Sequence, residues 1–133
     1  MKKIIILALF IGQIFAFNNI EALKTNIIEL QKQHIPIVDI RLPYEWKSTG
    51  TIPNVLKITF FNERGEVNQN FLYELKKHNI SKNSKFAIIC RTGHRTAVAS
   101  KILEQNGYKN IINLKGGMFS LFTDLLKEIK YGK

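Results

Sequence analysis

Lys85-Phe86-Ala87-Ile88-Ile89-Cys90-Arg91-Thr92-Gly93-His94-Arg95-Thr96 joins an apolar run to a helix-like segment, with the chain's only cysteine at the junction. The run reads as a buried central strand. A cysteine between such a strand and a helix N-terminus sits where backbone N–H groups converge and the helix dipole is positive. Both favour the thiolate, the nucleophilic form of the side chain. Gly93 suits a position of positive φ in the compact turn, and successive N–H groups of such a turn can form an anion-binding nest. One exposed helix terminus contributes only about 0.3–1 kcal/mol. The nest, with Arg91 and Arg95 beside it, must therefore supply most of any strong preference for the anion.

Working outward, strands alternate with helices. Residues 18–34 read as an amphipathic helix, capped by Asn18 and Asn19, with Ile20, Leu23, Ile27 and Leu30 at helical spacing. Ile37-Val38-Asp39-Ile40 reads as a short buried strand and residues 55–60 as a second strand. A short helix is expected around Phe71, Leu72 and Leu75. Another is expected over 96–105, with Ala97, Val98, Ile102 and Leu103 inward. Residues 110–114 make a strand, Gly116-Gly117 a turn and 118–129 a final helix. This order predicts an α/β fold with a largely parallel sheet covered on both faces. Functional loops in such sheets lie at the carboxyl ends of strands. The Cys90 loop and the Asp39-Ile40-Arg41 segment both fall there, so they point to one face.

The N-terminus is different in kind. Lys2 and Lys3 precede an apolar run, Ile4 to Ile11, and a small residue, Ala16, follows. That is the layout of a secretory signal peptide over residues 1–16, shorter than a spanning helix needs. It leaves one domain over 17–133, with no stable membrane span, in a periplasmic or secreted location. A lone cysteine in an exported protein is a reactive thiol or an intermolecular partner, not an intrachain staple. It also removes any thiolate-rich metal site, and His34, His78 and His94 lack ligand spacing, so no metal or cofactor is expected. The net charge is +10, but the lysines are dispersed. With no nucleic-acid motif, the charge reads as a solvated surface that tolerates anionic substrates.

Cys90-Arg91-Thr92-Gly93-His94-Arg95-Thr96 resembles the active-site loop of single-domain rhodaneses. Three further blocks lie in the right order. Asp39-Ile40-Arg41-Leu42-Pro43-Tyr44-Glu45-Trp46 looks like the family's Asp-Val-Arg box. Gly50-Thr51-Ile52-Pro53-Asn54-Val55 is similar to its Gly-His-Ile-Pro-Gly-Ala segment, and Asn113-Leu114-Lys115-Gly116-Gly117-Met118 to its Leu-x-Gly-Gly-Ile turn. The resemblance implies a three-layer α/β/α sandwich with a mostly parallel central sheet. It also implies sulfane-sulfur transfer through a Cys90 persulfide, from a small anionic donor such as thiosulfate to cyanide or a thiol. A protein acceptor is left open. By the same resemblance, the backbone N–H groups from Arg91 to Arg95 hold the sulfur, Arg91 and Arg95 bind the donor, and His94 adds charge or is a plain loop residue. Asp39, Arg41 and Glu45 brace the fold, with Arg41 and Glu45 expected to pair.

The chain departs from the pattern at Thr51, where the family usually has histidine, at Asn54, where it has glycine, and at Leu121, where it has tryptophan. Two other readings stay open. One is a non-turnover sulfur carrier. The other is a phosphatase or arsenate reductase, although those loops generally place one more residue between cysteine and arginine than the four found here.

Overall fold

A computed structural model of the chain describes residues 17–131. The expected signal segment, 1–16, lies outside the described residues. Among the described residues five strands form one sheet: β1 (Phe17–Glu21), β2 (Ile37–Asp39), β3 (Leu56–Lys57), β4 (Lys85–Ile89) and β5 (Asn110–Lys115). Their spatial order is β1-β5-β4-β2-β3, and every strand pair is parallel. The helices between them are α1 (Lys24–Lys32), α2 (Pro43–Thr49), α3 (Phe71–Lys77), α4 (His94–Gln105) and α5 (Gly117–Lys130).

Side chains alternate across the sheet, and the two cores follow from that period of two. Val38, Phe86, Ile88 and Ile111 face α3 and α4, where Phe71, Leu75, Ala99 and Leu103 meet them. Ile37, Ala87, Ile89, Ile112 and Leu114 face α1 and α5, where Ile27, Leu30, Met118 and Leu121 meet them. β4 is buried on both sides, which is why its sequence carries no polar alternation. Each such apolar side chain contributes about 1.5–3 kcal/mol on burial.

The expected α/β/α sandwich is therefore the fold observed, with three local corrections. Residues 18–34 are not one helix. Phe17–Glu21 adds a parallel edge strand to β5, and α1 starts only at Lys24, after Leu23, with no side-chain cap. The ladder to β5 overrides the local capping signal of the two asparagines, and Asn19 instead accepts a 2.8 Å bond from Asn113. Strand β3 is shorter than expected, although Ile58 and Phe60 still donate to the carbonyls of Asp39 and Ile40. Helix α4 starts at His94, and its inward residues are Thr96, Ala99, Ser100 and Leu103, while Val98 is half exposed. Ala99 and Leu103 share a face one helical turn apart, and Val98 lies off it.

Candidate active site

β4 ends at Ile89, and Cys90 opens the loop that leads into α4. Gly93, at φ +98°, is the residue before the helix. This left-handed turn brings the Gly93 N–H back onto Cys90 Sγ at 3.2 Å. Thr96 Oγ1 stands 3.6 Å from the sulfur and 3.2 Å from the Gly93 carbonyl. Its hydroxyl can rotate to serve either partner. The sulfur thus meets one backbone donor, from Gly93, and one hydroxyl, where the nest expectation had several backbone N–H groups between Arg91 and Arg95.

The loop is also held from behind. The first turn of α5 donates Met118 N–H to the Cys90 carbonyl and Phe119 N–H to the Arg91 carbonyl, both at 2.9 Å. In trans peptide units the N–H points opposite to the C=O. The Arg91 and Thr92 amides are therefore aimed away from α5. This contact needs Gly117, which lies at φ +62°. A Cβ there would fall 2.4 Å from the Cys90 carbonyl oxygen and 2.7 Å from that of Arg91. The turn glycines thus set how closely α5 approaches the loop.

Cys90 is only 1% exposed and packs with the α3/α4 core. A reactive thiol open to solvent is not what the fold builds. Above the loop lies a cavity of about 490 Å³, walled by Arg41, Tyr44, Ser48 and Thr49 on one side and Arg91, Thr92, His94 and Arg95 on the other. Cys90 sits behind these walls. Ser48 and Thr49 escaped the sequence reading, and Tyr44 entered it only as a member of the Asp39–Trp46 block, without a role. Their only signal was position, since they follow the Asp39–Arg41 segment at the carboxyl end of β2.

The expected Arg41–Glu45 pair does not form. Arg41 is buried against Asp39, with Nε 2.9 Å and a terminal nitrogen 2.8 Å from the carboxylate oxygens. Its other donors reach Thr49 Oγ1 and the Gly50 carbonyl, both at 2.7 Å. Glu45 instead grips Arg95 in a two-pronged pair at 2.7 and 2.8 Å, and it also accepts the Leu42 N–H at 3.0 Å. The proximity of Arg95 to both Glu45 oxygens explains the exchange, since a fork-on-fork geometry is the strongest available to an arginine. Arg95 therefore spends its charge bracing α4 against α2, where the sequence suggested donor binding. Arg91 is exposed and has no ion-pair partner among the described residues. His94 is exposed at the cavity wall.

The Arg95 hydrogen bonds hold the Glu45 carboxyl below its usual value, against a smaller opposing effect of burial. The same bonds raise Arg95. A lowered carboxyl contributes stability that is full above its unfolded value, about 4.3, and is lost as pH falls through the folded value. Glu45→Gln is expected to cost about 1.5–3 kcal/mol at pH 7, with the gap to the parent closing below pH ~4. Urea unfolding of both proteins at pH 7 and pH 3 checks this, and an equal gap at both would mean that the brace is not ionic.

Among the described residues no cluster of His, Cys, Asp and Glu is placed to hold a metal, and no helix is long and apolar enough to cross a membrane.

A parallel sheet with this strand order and a Cys90 loop pinned by a Gly-Gly turn define an α/β domain that carries its one cysteine at the carboxyl end of a central strand. Residues 20–123 match the rhodanese-like domain, and the chain belongs to that family. A sulfurtransferase of Allochromatium vinosum is 31% identical over 88 residues, which are 66% of this chain and 72% of that protein. A putative sulfur carrier protein, YrkF of Bacillus subtilis, is 28% identical over 75% of this chain and 47% of its own length. A tRNA uridine(34) hydroxylase of Pelagibacter ubique is 30% identical over 84% of this chain, which spans only 34% of that protein. Among solved structures, a rhodanese-related protein from Thermoplasma volcanium superposes with a TM-score of 0.58 at 27% identity, covering 80% of this chain and 92% of that one.

Proposed function

We propose that this chain is a sulfurtransferase that moves one sulfane sulfur through a persulfide on Cys90. The Cys90 thiolate attacks the outer sulfur of thiosulfate, the S–S bond of the donor breaks, and sulfite leaves with the electron pair. A thiol or cyanide then takes the outer sulfur and Cys90 leaves as thiolate. The observation that carries this reading is the Gly93 N–H on Cys90 Sγ at 3.2 Å, in a loop whose carbonyls are tied back to α5. Donors fixed in advance around a sulfur anion stabilise it without reorganisation when it leaves or attacks. Arg91, exposed and without an ion partner among the described residues, is the cation that meets the donor dianion.

A second reading has its own support. Cys90 is enclosed, and a sulfur so shielded suits a carrier that hands its cargo on slowly. The phosphatase reading loses ground because Arg95, the residue that would grip an oxyanion, is held by Glu45.

Intact-mass measurement after thiosulfate treatment tests the proposal. A gain of one sulfur atom, removed again by cyanide over many turnovers, is the expected result, and no gain would sink it. A single discharge without turnover selects the carrier. The proposal includes export, so the same spectrum of protein recovered from its natural host is expected to show a chain that begins at Phe17.

A further inference from the structure

Beside the active-site cavity runs a second, apolar groove of about 270 Å³. Ile27 and Ile28 of α1 form one wall, Met118, Leu121 and Phe122 of α5 the other, and Ile52 closes one side. Thr49 lines both this groove and the cavity above the Cys90 loop, so the two spaces are neighbours.

Two of the positions where the chain departs from the rhodanese pattern, Thr51 and Leu121, line this groove. Each carries a smaller side chain than the histidine or tryptophan of the pattern.

The apolar tract also continues past the groove. Phe119, Phe122, Leu126 and Ile129 follow one another at intervals of three and four residues, which places them on one edge of α5. Phe119, Leu126 and Ile129 are 66%, 64% and 78% exposed. The edge is about 15 Å long at 1.5 Å per residue. An exposed apolar strip of this kind marks a contact surface, and its length exceeds what a small thiol can cover. Phe119 also touches the site directly, through its N–H on the Arg91 carbonyl.

Charge narrows the partner further. Both acids of α5 are turned to the start of α1: Asp124 accepts the Lys24 N–H at 2.8 Å, and Glu128 pairs with Lys24 Nζ at 2.8 Å. Thr123 and Lys130 are exposed beside the strip, and Lys127 is exposed farther round the same helix. Lys127, Lys130 and Arg91 have no carboxylate partner among the described residues, so they are the cations left for a partner to meet, while Asp124 and Glu128 are engaged with Lys24 at the groove wall.

We propose that the sulfur acceptor is a protein, which presents a cysteine on an extended segment whose apolar residues lie in this groove and whose flanks are acidic. This rests on the Cys90 sulfurtransferase reading and gives its acceptor. In the transfer the acceptor thiolate attacks the outer sulfur of Cys90–S–SH and the persulfide bond breaks. The electron pair stays on Cys90, and the acceptor ends as its own persulfide. One sulfur atom moves from Cys90 to the acceptor, the hydrogen count of each side is unchanged, and no outside oxidant or reductant is needed.

The test uses two labelled peptides of equal length, each with one cysteine and acidic flanks. One carries Leu and Phe a few residues from the cysteine, and the other carries Ser and Gln there. Anisotropy with the Cys90→Ser protein reads docking without chemistry, and mass spectrometry with the parent protein reads sulfur transfer, with cyanide as a parallel acceptor. The apolar peptide is expected to bind at least tenfold tighter. Ile28→Glu and Phe122→Glu are expected to weaken peptide transfer at least tenfold more than cyanide transfer. Equal binding of the two peptides overturns the proposal. So does self-association that Phe122→Glu abolishes, since the face then belongs to a second copy. Tight docking of the apolar peptide on a protein whose Cys90 takes no sulfur from thiosulfate keeps the surface and sinks the transfer reading instead.

Discussion

Replacing Cys90 with alanine is expected to abolish sulfur transfer, with a loss of at least about a thousandfold, while the fold survives. The chain has no other cysteine, so no second thiol can take over. The cost to the fold is small. Sγ is one buried atom in the α3/α4 core, and its loss amounts to about 1 kcal/mol, near the value of a buried methylene. Cys90→Ser is the sharper variant. Its hydroxyl can still accept the Gly93 N–H, so the loop keeps its bond while the nucleophile is gone. Thermal unfolding and intact mass after thiosulfate treatment read the two effects apart. Sulfur uptake by either variant would move the chemistry away from this loop. A collapsed fold in both would make Cys90 a core residue above all.

The contrast between what the sequence discloses and what it hides follows from locality. β4 is legible because a strand buried on both faces cannot carry polar residues, so Phe86 to Ile89 reads unambiguously. Gly93 and the Gly116-Gly117 turn are legible because only glycine takes those φ values cheaply. β1 is hidden because it is an edge strand whose partner, β5, lies more than ninety residues away, while Asn18 and Asn19 mimic a helix cap. The Glu45–Arg95 brace spans fifty residues, and nothing local distinguishes it from the Arg41–Glu45 pair that was expected. The enclosure of Cys90 is tertiary too. It arises because α4 packs Ala99 and Leu103 onto the same core that receives the thiol. The convergence of the Cys90 loop and the Asp39 segment on one face was legible, since they end adjacent parallel strands.

Asp39→Ala is expected to cost about 3–5 kcal/mol, a large share of the roughly 5–15 kcal/mol that holds a domain folded. Asp39 is fully buried and Arg41 is 1% exposed. The carboxylate accepts from Arg41 Nε, from one terminal nitrogen and from the Arg41 backbone N–H. Removing it leaves a guanidinium inside the protein with only Thr49 and Gly50 as acceptors. The charge of an arginine cannot be shed by losing a proton, so the protein must admit water or open. Opening here has a functional direction. Arg41 stands just before α2 and binds Thr49 and Gly50 at its far end, so it straps that helix across the cavity wall. The Asp39→Ala protein should therefore lose sulfur transfer as well as stability, because Tyr44, Ser48 and Thr49 move with α2. Replacing both partners, Asp39→Leu with Arg41→Met, should recover most of the stability, since an apolar pair of similar volume needs no partner in the interior. It should not recover the strap, and transfer should stay low. Urea midpoints for the two variants, read beside thiosulfate uptake, separate the roles. An Asp39→Ala protein within about 1 kcal/mol of the parent would show that Arg41 finds water there, and the pair would then be a surface contact in energetic terms.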